Sequence, residues 1–249
     1  MTALISSELL KIRTTRGWYA YLAVLLLLSG LAVAGDIGST EDVRRGTLDF
    51  QLGLVDGAGI AALLSIILGI TLVTTEFRHG TITPTLLVAP VRERVLASKG
   101  IATAGVSLLF GLVSLAVIGA VAVSWLSIIG ADLHLAERDV VVRAGQVLLL
   151  AVLFGLLGAA IGTLVQSQVA ALVGTLVWIF LAETLLIGVL GLLDLDGVAP
   201  YLPFQALDAA DGTGGGDLLS YWPGVGVSLA WVAGIGAAGA VRLRGRDIT

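Results

Sequence analysis

The sequence predicts an all-α integral membrane protein with six transmembrane helices, formed by a single transmembrane domain that covers residues 1–249. Composition is the first indication: 57% of the residues are hydrophobic and 13% are charged, with a mean hydropathy of +1.01, whereas soluble domains carry about 25% charged residues. The second indication is segment length, because about 20 apolar residues cross a bilayer core of roughly 30 Å. Apolar segments of this kind occupy residues 18–34, 57–75, 100–131, 144–165, 169–193 and 222–241.

The segment ahead of the first span, residues 2–16, predicts an amphipathic helix that lies in the membrane interface. Ile5, Leu9 and Ile12 share one face at helical spacing. An ordinary charged leader that orients the first span is the alternative. A cleaved signal peptide is a third possibility, because residues 32–34 resemble a signal-peptidase site, but the dimensions of leader and apolar core favour a retained span.

The loop between the second and third spans, residues 75–99, is a long polar and basic connection. Gly80 can end the preceding helix, Thr83 and Pro84 can start a short new helix, and Pro90 can stop it. The pattern therefore predicts a short helix held against the membrane between two spans, where a partner protein can push on it.

The fourth and fifth spans are predicted as a tight hairpin. The uncharged stretch 144–182 is too long for one crossing, so the polar residues 166–168 mark a turn. Small residues four apart let helices approach closely. They occur in the fourth span at Gly155, Gly158, Ala159 and Gly162, and in the sixth at Ala230, Gly234 and Ala238.

The loop between the fifth and sixth spans, residues 194–222, alternates apolar and flexible stretches. Residues 198–207 and 218–222 are apolar and partly aromatic, and residues 212–216 are rich in glycine. Aromatic side chains suit the boundary between membrane and water. The loop predicts two short re-entrant helices that dip into the outer leaflet.

The basic residues are sorted by side. Ten of the 14 Lys and Arg residues lie in the N-terminal segment, the 76–99 loop and the C-terminus, and the other three loops carry four. Thirteen acidic residues lie in those other three loops. The positive-inside rule then places both termini in the cytoplasm, which agrees with six crossings. Because the charges are sorted in this way, the net charge of −4 gives no indication of nucleic-acid binding.

Residues that support catalysis are scarce. Cysteine is absent, and His79 and His134 are predicted on opposite sides of the membrane, so no metal site and no catalytic site is expected. A P-loop requires lysine directly after glycine, but Lys11 and Lys99 are the only lysines and neither follows glycine. Glu183 is the only ionisable residue inside a predicted span. It is either part of a transport path or a structural carboxylate bonded to the outer hairpin.

The chain resembles the permease subunits of type-2 ATP-binding-cassette (ABC) exporters. The residues that carry the resemblance are Ser7, Glu8, Leu9, Leu10, Lys11, Arg13 and Arg16 in the leader, residues 76–81, residues 85–87, Pro90, Arg92, Arg94, Val95, Leu96 and Lys99 in and after the loop, Trp178 with Glu183, and residues 246–249 at the tail. One departure is Gln166, where relatives often have a basic residue or Asn.

The resemblance implies a cytoplasmic coupling helix, two short outer helices, a second permease as dimer partner, contact with membrane lipid and no nucleic acid. It also implies a separate P-loop ATPase that holds ATP and Mg²⁺, so that this chain binds no cofactor itself. The implied location is the bacterial plasma (inner) membrane. The residues that it assigns to contact with the ATPase are Glu76, Arg78, His79, Gly80, Thr81, Thr85, Leu86, Arg92 and Arg94.

Three functions are compatible with this class of chain. The resemblance and the missing P-loop favour the membrane half of an ATP-driven exporter of lipophilic, drug-like or peptide substrates. A secondary transporter that uses Glu183 as a proton relay is the second, although such folds show repeated halves with several polar groups. A membrane-embedded hydrolase is the third, and it requires a catalytic constellation that these spans lack.

Overall fold

The computed structural model describes residues 1–15, 17–88, 91–213, 215–216 and 218–245. These residues form helices and contain no strand. The helices are α1 (Thr2–Thr14), α2 (Gly17–Ser39), α3 (Asp42–Arg45), α4 (Leu48–Asp56), α5 (Ile60–Arg78), α6 (Ile82–Val88), α7 (Arg92–Ile128), α8 (Arg138–Val165), α9 (Gln168–Val177), α10 (Glu183–Leu192), α11 (Pro203–Asp211) and α12 (Tyr221–Arg244). Short 3₁₀ turns cover Gly57–Gly59 and Asp196–Tyr201, and a π-helical turn covers Trp178–Ala182.

Six helical segments of the described chain are long and apolar enough to cross a membrane. They are Gly17–Ser39, Leu48–Arg78, Arg92–Ile128, Arg138–Val165, Gln168–Leu192 and Tyr221–Arg244. All six predicted spans lie inside these segments to within three residues, so the chain is a multi-pass membrane protein. The helices nevertheless extend past the apolar stretches: the second begins nine residues before residue 57, and the third begins eight residues before residue 100. Charged residues that the sequence assigns to loops therefore lie in helices.

Helix α8 forms the centre of the bundle and packs most extensively against α5, then α12 and α7. The contact between α5 and α8 depends on glycine. A Cβ atom on Gly69 would clash with the carbonyl of Gly155, and one on Gly158 would clash with the carbonyl of Ile66. The small residues of the fourth span thus lie in a close helix contact, as their spacing indicates.

The small residues of the sixth span behave differently. Ala230, Gly234 and Ala238 are exposed on the surface of α12, so their spacing does not mark a contact with another described part of the chain. The packed side of α12 instead carries Gly224 and Gly239, where an added Cβ would clash with α11 and α8.

The turns between the last three spans lie close to the positions that the sequence predicts. Helix α8 ends at Val165 and α9 starts at Gln168, so two residues form the predicted hairpin, with Gln166 in the left-handed region at φ 59°. Both short helical structures between the fifth and sixth spans, the 3₁₀ turn Asp196–Tyr201 and α11, precede the glycine-rich stretch. The apolar residues 218–220 are not helical, because the sixth span starts directly after them at Tyr221.

Candidate functional site

The basic residues of the 76–99 region lie at one end of the bundle, here called the basic end, which also carries α1, α6 and the C-terminal part of α12. At this end α5 stops at Arg78, and Gly80 adopts φ +69°, a conformation that glycine reaches without strain. The seven-residue helix α6 follows, as predicted for the loop. Pro90, the predicted stop signal, lies outside the described residues.

Four charged side chains form a closed ring at this end, here called the quartet: Glu8, Lys11, Glu76 and Lys99. The Lys11 Nζ atom donates to Glu8 Oε1 and to Glu76 Oε1, at 2.8 Å each. The Lys99 Nζ atom lies 3.0 Å from Glu8 Oε2 and 2.6 Å from Glu76 Oε1. The ring therefore joins α1, α5 and α7 through alternating charges. Glu76 faces the bundle and binds Lys11 of α1.

Burial makes the quartet more than a surface ion pair. The side chains of Lys99 and Glu76 are 4% and 7% exposed, and that of Lys11 is 45% exposed. Burial acts to raise the pKa of Glu8, but the charge of Lys99 and hydrogen bonds from both lysines outweigh it, so this pKa lies below its ordinary value. Burial acts to lower the pKa of Lys11, and the bonds to Glu76 and Glu8 outweigh it, so this pKa is raised. Both groups stay charged near neutral pH.

The remaining residues assigned to ATPase contact spread over the surface of the basic end. Arg78 is exposed and donates to Gln168 Oε1 at 3.3 Å, and the His79 Nδ1 atom lies 2.9 Å from the Thr75 carbonyl oxygen. Thr85 Oγ1 donates to the Thr81 carbonyl at 2.9 Å, within the short α6 region. These residues surround α6 and its entry turn.

Helix α7 carries the other two assigned arginines on its first turn, and not in a loop. Arg92 donates to the carbonyl of Leu243 and so binds the end of α12, whereas Arg94 is exposed. The side chain of Leu86 lies outside the described residues. Sequence reasoning did not assign Glu8 or Lys99 to the site. A signal was available for Lys99, because it directly precedes an apolar segment and a charged residue needs a partner when it is buried.

Glu183 lies near the opposite end of the bundle, here called the acidic end, directly after the π-helical turn. Its Oε1 atom accepts from the backbone N–H groups of Phe204 and Gln205 at 2.9 and 2.8 Å, and Oε2 accepts from the Trp178 indole at 2.6 Å. The two backbone groups belong to the first turn of α11. A carboxylate at this place satisfies unpaired helix donors and complements the helix dipole.

Arg143 performs the complementary task at the other end of α11. Its guanidinium group binds Asp56 of α4 and both the carbonyl and the carboxylate of Asp211, the last residue of α11. An arginine is favourable where a helix ends, because the dipole is negative there. Helix α11 is therefore held by an acid at its start and a base at its end. Arg143 lies in the spanning helix α8, one residue before the predicted span, and its side chain is 8% exposed. Glu183 is therefore not the only ionisable residue of a spanning helix.

A groove of about 430 Å³ borders the quartet between α1, α2 and α5. Its apolar wall includes Trp18 and Tyr21 of α2. The Trp18 ring stacks on Phe110 at 5.4 Å between centroids, and the Tyr21 hydroxyl bonds Thr71 Oγ1 at 3.2 Å. The groove is therefore a formed feature with fixed aromatic walls.

The chain matches a family model described as "ABC-2 family transporter protein" over residues 4–182. The matched region contains the quartet, Gly80 and α6, and it ends directly before Glu183. No curated protein is similar enough to the chain to match it.

Proposed function

Because the chain belongs to the ABC-2 family of membrane-spanning transporter subunits, we propose that it is the permease of an ATP-driven exporter. The family is a membrane component without its own ATPase, and it implies a partner ATPase subunit. The proposed substrates are lipophilic, drug-like or peptide molecules. In the proposed assembly, two permeases pair in a bacterial plasma membrane and bind two ATPase subunits, which hold the ATP and Mg²⁺.

The observation that supports the proposal most directly is the position of α6 next to α5 and the quartet. The short helix begins six residues after Glu76 and exposes Pro84 and Leu87, and Glu76 is bound through the quartet to α1 and α7. A force on α6 therefore acts on three helices at once, through a buried ionic contact that is not easily compressed. Closure of the ATPases would move α6 and shift the spans between inward-facing and outward-facing states.

The proposed orientation places the basic end in the cytoplasm, where the ATPases bind. It is supported by the excess of Lys and Arg at that end. In this orientation α11 and the 3₁₀ turn before it lie at the outer surface as re-entrant helices. Helix α1 lies in the cytoplasmic interface, with Leu9 and Leu10 exposed and Glu8 and Ile12 turned into the bundle.

Two glycines allow a direct test of coupling at α6. Gly80 and Gly130 have φ +69° and +70°, and at both positions an added Cβ would meet open space. Gly80→Val therefore strains the turn into α6, whereas Gly130→Val applies the same strain at the opposite end. We expect Gly80→Val to lower ATP-driven export at unchanged membrane amount, and Gly130→Val to retain it. Equal export in both variants would contradict coupling through α6.

The energy source is tested separately. The isolated chain should hydrolyse no ATP and should co-purify with a soluble P-loop ATPase. Export should stop on ATP depletion and continue when an uncoupler removes the proton gradient. ATP hydrolysis by the rigorously purified chain alone would exclude the proposal.

The geometry of Glu183 argues against the proton-relay alternative. Its carboxylate accepts three N–H donors from fixed partners, so both oxygen atoms are used to hold the start of α11 against the fifth span. Glu183→Gln should therefore lower the free energy of unfolding by about 1–3 kcal/mol and leave the dependence of export on ATP intact. Loss of export at unchanged stability would favour the relay.

A further inference from the structure

A second groove, of about 240 Å³, is lined by α8, α9, α12 and the start of α11. Its α8 wall runs from Val165, beside the hairpin turn, to Leu157, and its α9 wall runs from Ala170 to Trp178 in the π-helical turn. The two residues of each wall are eight positions apart, or about 12 Å along a helix axis. One leaflet of a bilayer core is about 15 Å thick. The groove therefore covers most of one leaflet, from the basic end inward.

The lining of this second groove is suited to hydrocarbon. The indole N–H of Trp178 donates to Glu183 Oε2 at 2.6 Å, and that of Trp231 donates to the Tyr201 carbonyl oxygen at 2.8 Å. Both tryptophans therefore present ring surface to the groove while their polar atoms are occupied. The Oγ1 atom of Thr175 is buried away from the surface. The described lining residues thus offer an occupant apolar contact and no accessible, unused side-chain donor or acceptor.

Two arginines lie where the second groove reaches the basic end. Arg242 is eleven residues after Trp231, so both lie on one face of α12, about 16 Å apart along its axis. Arg242 donates to the Leu164 carbonyl oxygen at 2.6 Å, and Arg78 donates to Gln168 Oε1 at 3.3 Å, on either side of the hairpin turn. Both arginines are exposed, both acceptors are uncharged, and no described carboxylate forms an ion pair with either arginine. This end of the groove therefore presents positive charge.

We propose that the second groove binds an anionic phospholipid, with one acyl chain along Ile161 and Trp178 and the phosphate beside Arg242 and Arg78. Arginine suits this task because its planar guanidinium group binds phosphate oxygens through two parallel hydrogen bonds. A second copy of the chain fits less well, because the described carboxylates of the basic end are already bound to cations of their own chain.

The choice of leaflet, but not the binding itself, rests on the proposed function. With the basic end in the cytoplasm, the lipid comes from the cytoplasmic leaflet, where anionic lipids attract basic residues. A zwitterionic lipid fits less well, because its headgroup brings a cation towards the two arginines. A soluble phosphate compound would leave the apolar length of the groove uncovered.

Native mass spectrometry of the purified full-length chain tests the proposal without ATP or the ATPase, so failure of the exporter assignment would not affect the result. Equal amounts of phosphatidylglycerol and phosphatidylcholine are offered, and the lipid that stays bound is identified. We expect phosphatidylglycerol to be preferred about fivefold for each arginine that contacts it. Equal retention of the two lipids would overturn the proposal, as would displacement of the lipid by glycerol 1-phosphate. Lipid bound to monomers but absent from dimers would show that a second copy covers the groove.

Two glycines of the fifth span locate the acyl chain. An added Cβ meets open space at both Gly174 and Gly188, but Gly174 lines the groove and Gly188 does not. Gly174→Phe therefore fills the groove, keeps every charge and should reduce retention of phosphatidylglycerol severalfold. Gly188→Phe adds the same ring to the same span and should bind as the wild type does. An equal reduction in both variants would place the lipid on the outer surface of the span.

The arginines locate the phosphate. Arg242→Gln combined with Arg78→Gln should abolish the preference for phosphatidylglycerol over phosphatidylcholine, because the acyl chain alone does not distinguish the two lipids. The control is Arg13→Gln combined with Arg94→Gln, which removes two exposed cations of the same end that do not line the groove. A preference that survives the first pair of substitutions, or is lost equally in the control, would contradict the site.

Discussion

At the residue scale, the quartet determines what a single substitution at one of its four residues does to the stability of the chain. Glu76 is the common acceptor for Lys11 and Lys99, and Lys99 is almost fully buried. Removal of one partner from a buried ion pair leaves an uncompensated charge, at a cost of about 3–5 kcal/mol. A variant at Glu76 therefore changes the stability of the chain as well as any coupling to the ATPase. A variant at the exposed Gly80 leaves the quartet intact.

The first prediction uses the alternation of charges in the quartet. Glu76→Gln should lower the melting temperature, since Lys11 and Lys99 then share Glu8 alone. The addition of Lys11→Gln should restore part of the loss, because Glu8 and Lys99 remain as a neutral buried pair. Thermal denaturation followed by tryptophan fluorescence measures both.

The control for this cycle is the double variant Glu8→Gln with Glu76→Gln. It leaves two buried lysines without acids, so it should be less stable than either single variant and less stable than the neutral double variant. A further loss of stability on addition of Lys11→Gln to Glu76→Gln would show that the four charges do not act as a unit.

A second residue-scale prediction concerns His134 in the loop between α7 and α8. Its Nδ1 atom lies 2.6 Å from Glu137 Oε1, and Nε2 lies 3.1 Å from the Gly46 carbonyl oxygen. Both partners are acceptors, so the doubly protonated ring is favoured. The hydrogen bond to Glu137 raises the pKa of His134 above its ordinary value of 6.5, and burial opposes this less strongly.

The sign of the pH effect follows from the raised pKa. The stabilisation by His134 is fully present below the pKa of the unfolded chain and is lost as pH rises through the higher pKa of the folded chain. Melting temperatures of wild type and His134→Gln should therefore differ at pH 5.5 and converge at high pH. Glu137→Gln removes the hydrogen-bond partner of His134 and should abolish the same difference; equal melting temperatures of wild type and His134→Gln at pH 5.5 would contradict the prediction.

At the element scale, the contact of α5 with α8 is the least adaptable part of the bundle. Gly158→Ala should destabilise the chain by about 1–3 kcal/mol, because the new methyl group meets the rigid carbonyl of Ile66. Gly105→Ala is the matched control: Gly105 lies in α7, and an added Cβ there has open space. Denaturation of both variants should show a loss for Gly158→Ala alone; equal stabilities would mean that the two helices can move apart.

The observed helix boundaries show which parts of the predicted spans are confirmed and which are displaced. Apolar length identified all six spans and the hairpin at residues 166–168, because a bilayer core demands that length. It placed the starts of the second and third helices eight or nine residues late, since a helix continues into polar sequence when its polar side chains find partners. Gln51 is an example: 1% exposed, it bonds the Asp132 carbonyl and the His134 N–H and secures the early start of the second span.

At the scale of the whole molecule, the prediction is the topology. The chain has no cysteine, so single cysteines report accessibility directly. Ser39 and Ser220 are exposed at the acidic end and Ala97 is exposed at the basic end, whereas Ser98 beside it is 1% exposed and would not react on either side. Impermeant thiol reagents should label positions 39 and 220 in intact cells and spare position 97 until the membrane is opened.

Labelling of position 97 in intact cells would reverse the proposed orientation, and with it the assignment of α6 to the cytoplasm. Labelling at either position 39 or position 220, but not at both, would contradict an even number of crossings between them. Comparison with opened membranes shows that each cysteine is able to react.

The sequence by itself determined what a bilayer imposes on a chain: the class, the number of spans, the short helix after Gly80 and the residues that carry the family likeness. These depend on local properties, namely apolar length, charge next to a span and glycine at a left-handed turn. The tertiary structure alone decided which charges meet. Glu8 and Lys99 are 91 positions apart, and Glu183 and Phe204 are 21 apart, so only the packing of α1, α7 and α11 brings them together. Burial then turns ordinary charged residues into a closed ring and a helix cap, because a charge removed from water must be paired.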